Sequence, residues 1–186
     1  MIPSHRHPAP ADTGWPRLLL LSGLIAVTVA SRCLPHPWNF TPLGAVALFS
    51  GATLSSRWMS ILVPLIAILV SDLLIGLHGL MPAVYACLLF NVWLGSRLHG
   101  QLRPLPIGGS ALVGAIVFFL ITNVACWAMY YEHSAAGFAS CFVLAVPYFG
   151  GTLGGDLFFS VVLFGSLALA ERWFPLLRPV SQSSLT

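Results

Sequence analysis

The sequence predicts an all-α integral membrane protein, a single bundle of six transmembrane helices, and three observations carry that prediction. Of its 186 residues 58% are hydrophobic, only 7% are charged, and the mean hydropathy is +0.90. A soluble domain carries roughly 25% charged residues, so this chain lacks the polar surface to clothe a core in water, whereas hydrocarbon asks for none. The net charge of +3 rests on eight arginines, with no lysine anywhere. That is too little charge for a nucleic-acid partner.

Residues 1–16 are polar and proline-rich and read as a disordered cytoplasmic leader. Leu18–Ala30 has the length of a signal-peptide core, but its removal would leave the later helices with a poorer charge pattern, so the leader reading is preferred. Pro, Gly and Arg punctuation then marks six apolar segments within one membrane domain, residues 17–174: Leu18–Ser31, Leu43–Ser55, Trp58–Ile75, Ala83–Ser96, Ile107–Ala128 and Leu153–Trp173. Residues 175–186 form a cytoplasmic tail. The first, second and fourth segments fall short of the roughly 20 residues of an upright span and need thinning, flanking residues or burial in the bundle. Leu43–Ser55 is the weakest. Ala136–Tyr148 is apolar, short and stops at Pro147, so it reads as a re-entrant or interfacial piece, and Ala128–Thr152 as a mobile cover containing Gly150 and Gly151.

Arginine placement sets the orientation, because cytoplasmic loops retain positive charge. Six helices starting inside put Arg6, Arg17, Arg57, Arg97, Arg103, Arg172 and Arg178 in the cytoplasm and only Arg32 outside. Both termini are therefore expected in the cytoplasm, in a multi-pass protein of the cytoplasmic (inner) membrane. A seventh crossing would move Arg172 and Arg178 outside.

With that topology the remaining polar chemistry gathers at the outer face: Arg32, Cys33, His36, Trp38 and Asn39, then Asp72 and His78, then Tyr130, Tyr131, Glu132 and His133, with Asn123, Asp156 and Cys87 close below. Acidic residues within a membrane are expensive, which makes Asp72 and Asp156 site candidates. The structural alternative is that Asp72 caps or pairs near a helix end and Asp156 pairs with Arg32. Trp and Tyr also belong to interfacial belts in general.

Cys87 lies about one turn into a helix that opens at Pro82, a favoured first helical position. Ala83, Cys87, Asn91 and Gly95 recur every four residues, a small and polar stripe of the kind that faces other helices. Cys87 is either a soft metal ligand or, like Cys126 and Cys141, a small buried hydrophobe. Cys33 could join either of those two in a disulfide in an oxidising compartment. No CxxC, HExxH, GxSxG or glycine-rich phosphate loop occurs, so an ATPase or hydrolase is not announced and no nucleotide site is present in the sequence.

The stretch Arg32-Cys-Leu-Pro-His-Pro-Trp-Asn-Phe-Thr-Pro42, Ser71-Asp72 with Gly76, Met81-Pro-Ala-Val-Tyr-Ala-Cys87, Pro147 and Gly155-Asp156 together resemble the S components of energy-coupling-factor vitamin transporters. Within that set they are most similar to the solitary BtuM group, and the likeness runs from Arg17 to Trp173. The resemblance implies an S-component-like bundle that binds cobalamin and takes it up, a membrane cysteine that ligates cobalt, and release of cyanide from cyanocobalamin by the same cysteine. Transport is thus the primary expectation, with Cys87 as the reactive residue. Cys87 and His36 are the expected cobalt ligands, with His78 the second choice to His36; His36, between two prolines, otherwise orders its loop. Tyr85, Trp38, Asn39, Asp72, Asn123 and Asp156 complete the expected pocket. Ala26 and Ala30 resemble the small-residue surface that docks on an energy-coupling module supplied by other chains. Two further readings stay open: an S component for another small vitamin or precursor, in which Cys87 only packs, and a membrane thiol redox protein using Cys33, Cys126 or Cys141.

Overall fold

The computed structural model describes residues 15–35 and 37–173, and these form six helices. They are α1 (Trp15–Cys33), α2 (Leu43–Thr53), α3 (Arg57–Ile75), α4 (Met81–Ser96), α5 (Pro104–Tyr130) and α6 (Ala135–Trp173). Three of them, α3, α5 and α6, are long and apolar enough to cross a membrane, and the chain is a helical protein of membrane type. The leader and tail expected at 1–16 and 175–186 lie, apart from the first turn of α1, outside the described residues.

The weakest expected span turns out to be the centre of the bundle. α2 has 11 residues, so it is about 17 Å long at 1.5 Å per residue, well short of a bilayer core of about 30 Å. Nine of its residues are buried, from Leu43 to Ala52 with Gly44 alone left half-buried. It touches all five other helices. A helix apolar on every side belongs in a core rather than on a surface. Around it Leu48 and Phe49 pack with Leu24 of α1, Val63 of α3, Ala111 of α5 and Phe164 of α6, the two rings meeting edge to face at 5.1 Å.

Small residues set how closely α4 approaches α2. A Cβ at Gly51 would strike the backbone carbonyl of Val92, and one at Gly95 the carbonyl of Leu48, so the two helices cross backbone to backbone. On α5, Gly114 makes room for the Asn91 side chain. The expected stripe thus does face other helices: Cys87, Asn91 and Gly95 are buried and Ala83 is half-buried.

The separate re-entrant segment expected at Ala136–Tyr148 does not occur. α6 runs unbroken for 39 residues with Pro147 inside it. Proline removes one hydrogen bond, the one to the carbonyl four residues back, and helices of membrane type tolerate that loss because neighbours resupply it. The expected cover is likewise two helix ends joined by the four residues 131–134. Aromatic contacts hold this hairpin together, with Phe119 against Phe142 and Phe149, and Trp127 against Phe138.

Candidate functional site

The described part of the first connection of the bundle that follows residue 36, residues 37–42, is laid down on α6. Gly151 and Gly155 stand four apart on one face of that helix, and there the backbone of Trp38 and of Thr41 passes where side chains would otherwise sit. Asn39 holds φ at 57°, a left-handed conformation that asparagine accepts more readily than most residues. Trp38 is exposed and stacks on Tyr148 of α6 at 5.4 Å.

Beside this loop a recess opens in two lobes, of about 440 and 560 Å³. Asn39, Leu80, Phe118, Thr122 and Thr152 line both, so the lobes adjoin. The smaller adds Arg32, His78, Asn91 and Asp156; the larger adds Asn123, Cys126, Cys141 and Tyr148, with Phe119 and Phe149 as apolar wall. Most of its polar lining is neutral amide and hydroxyl.

The charged groups at its edge are occupied by structural partners. Arg32, in the last turn of α1, donates through Nη1 to Asp72 Oδ1 at 2.7 Å and to the Ser71 hydroxyl. The Tyr85 hydroxyl donates to Asp72 Oδ2 at 3.1 Å. α1, α3 and α4 are thereby tied at one end, and of the structural alternatives for Asp72 it is pairing that holds. Asp156 does not pair with Arg32. Its carboxylate lies against Gly44, where the backbone N–H groups of Gly44 and Ala45 donate to it. The N-cap of α2 is Pro42, which offers no side-chain acceptor, so Asp156 caps α2 from another helix.

Cys87 is buried completely and lines neither lobe, although Val84, Leu88 and Asn91 on the same side of α4 line the smaller one. Asn91 donates to the Cys87 carbonyl at 3.2 Å. Asn123 reaches the larger lobe and donates to the Phe119 carbonyl at 2.7 Å. His36 lies outside the described residues, and Ala26 and Ala30 are exposed on α1. The structure therefore brings Asn39, His78, Asn123 and Asp156 to one recess, puts Asp72 and Tyr85 in the network behind it, and leaves Trp38 at its rim. The four cysteines are all unpaired, Cys33 exposed and Cys87 and Cys141 buried. Among the described residues no three His, Cys, Asp or Glu side chains converge as a metal site.

Thr122, Thr152 and Phe118 were not anticipated. Phe118, Thr122 and Cys126 recur every four residues on α5, as do Tyr148, Thr152 and Asp156 on α6, so a polar stripe inside an apolar span was the available signal.

The family described as "Family of unknown function (DUF6580)" matches residues 13–177 of this chain. No curated protein and no solved structure matches it.

Proposed function

We propose, from the premise that the chain belongs to the DUF6580 family, that it is a vitamin-binding membrane protein of S-component type that takes up cobalamin. The observation that carries the reading is the lining of the recess. A corrin presents peripheral amides around a broad apolar ring, and the recess offers neutral amides and hydroxyls, at Asn39, Asn91, Asn123, Thr122 and Thr152, between aromatic walls. A ring larger than either lobe would straddle both. Cobalt ligation by Cys87 is the second step, because the thiol is completely buried and outside the recess lining, so the packing around α4 must open first. The thiol then displaces cyanide from cobalt, forming the cobalt–sulfur bond while its proton leaves with cyanide as hydrogen cyanide. His36 would be the second cobalt ligand, or in its place His78, which lines the recess. A coupling module would dock on the exposed Ala26 and Ala30.

The burial of Cys87 favours a second reading, in which a smaller vitamin or precursor occupies one lobe and Cys87 only packs. Absorption spectra of the purified protein loaded with cyanocobalamin separate the two. Cobalt–thiolate ligation is expected to shift the corrinoid bands, and Cys87→Ser should abolish the shift while Cys126→Ser and Cys141→Ser retain it, since a neutral hydroxyl is a poor donor to cobalt. Corrinoid bound with unshifted bands would leave the vitamin and remove the ligand. No corrinoid bound by any form would leave the smaller-vitamin reading.

The chain is proposed to pass through the membrane six times with both termini in the cytoplasm, α2 making its pass as a short helix buried at the centre of the bundle. Arg57, Arg97, Arg103 and Arg172 follow the helix order to one end, and Arg32 with Asp72 to the other. Cys33 is exposed at the proposed outer end. With Cys33 as the only cysteine, an impermeant maleimide should label intact cells. Labelling that appears only after lysis would invert the orientation.

A further inference from the structure

At the end of the bundle away from the recess, the α2–α3 turn and the C-terminus of α4 enclose a groove of about 770 Å³. Its polar lining includes Arg57, at the first position of α3, and Arg97 and His99, just after α4. Among the described residues the one salt bridge is Arg32–Asp72, at the opposite end, and no carboxylate lines this groove. Arg97 is held over the Trp93 ring, its guanidinium carbon 4.8 Å from the ring centre, and the Nδ1 of His99 lies 3.1 Å from the Ser96 carbonyl. Arg97 is thus held in place with no acidic partner among the described residues.

Apolar surface continues from the charged end. Leu89 and Trp93 line the groove and are 41% and 47% exposed, and on α3 Trp58 and Leu62 are exposed as well. A ligand that satisfies both parts has an anionic head and hydrocarbon tails. We propose that this groove binds one anionic glycerophospholipid, its phosphate between Arg57 and Arg97 and an acyl chain along Leu89 and Trp93. Guanidinium forks match phosphate oxygens in pairs, and basic pockets between helices at the positive end of a membrane protein select acidic headgroups. Free phosphate would use the arginines and leave the apolar strip bare. The proposal does not depend on what occupies the recess.

The test uses the full chain in nanodiscs of neutral phosphatidylcholine with a minor share of phosphatidylglycerol, followed by native mass spectrometry of retained lipid. The parent protein should retain phosphatidylglycerol over phosphatidylcholine by about tenfold or more. The double variant Arg57→Gln/Arg97→Gln should lose that preference. Arg103→Gln, an exposed arginine near the same end but outside the groove, should keep it. Inorganic phosphate should not displace the lipid. Equal retention of both lipids by the parent, an unchanged preference in the double variant, or displacement by phosphate would each overturn the proposal.

Discussion

Arg32→Ala is expected to destabilise the folded bundle by about 3–5 kcal/mol, the range for removing one partner of a buried ion pair. The carboxylate it would abandon is 1% exposed, while Arg32 itself is 18% exposed. The asymmetry matters, because a severed arginine can reach polar surroundings and Asp72 cannot. What remains for Asp72 is the Tyr85 hydroxyl, one neutral hydrogen bond in place of a charge-assisted one. Tyr85→Phe should cost only about 1 kcal/mol, since the ion pair survives it. The double variant Arg32→Ala/Asp72→Ala should be more stable than Arg32→Ala alone, as the stranded charge is gone. Thermal unfolding in one detergent reads all three variants. A melting temperature for Arg32→Ala equal to the parent's would mean that Asp72 does not need its partner.

Gly51→Ala and Gly95→Ala are the second pair of large effects. In each case the new methyl meets a backbone carbonyl of the facing helix, and a carbonyl within a helix cannot rotate aside as a side chain can. α2 and α4 must separate, which opens the core around Leu48 and Val92. The expected loss is at least the roughly 1–3 kcal/mol of ordinary overpacking and more where both helices shift. Gly108→Ala and Gly109→Ala provide the contrast within the same protein. Both glycines are helical and have open space where a Cβ would go, so the substitution should be neutral or stabilise by up to about 1 kcal/mol through helix propensity. If all four variants unfold alike, close approach of α2 and α4 is not what Gly51 and Gly95 provide.

The helical membrane character was legible from composition, and the apolar segments from their punctuation, because neither depends on which helix meets which. The role of α2 was only half legible: its shortness signalled burial as one of three remedies, and packing on every side decided among them. The continuity of α6 was hidden, since Pro147 and the glycines at 150 and 151 have the local chemistry of a break. Within the intact helix Gly150 instead faces open space, and Gly151 leaves room for a loop far away in sequence. The partners of Asp72 and Asp156 were undecidable for a similar reason. Both carboxylates lie near one end of the bundle, and only the register of α6 against α2 brings Asp156 to Gly44. Cys87 was rightly placed on an inward stripe, yet the stripe does not tell whether inward means toward a cavity or toward another helix, and here it means the latter.

The capping of α2 by Asp156 has a consequence for the order in which the chain can be assembled at the ribosome. α2 emerges well before α6, too short to span hydrocarbon and with its first amides unanswered, while the carboxylate that answers them belongs to α6. An unfilled cap of this kind costs about 0.5–2 kcal/mol, and the apolar partner Phe164 arrives with the same late helix. The nascent segment from α1 to α5 is therefore incomplete in its own core, and the cap of α2 is filled only once α6 has been made. Completion of the α2 core thus depends on α6.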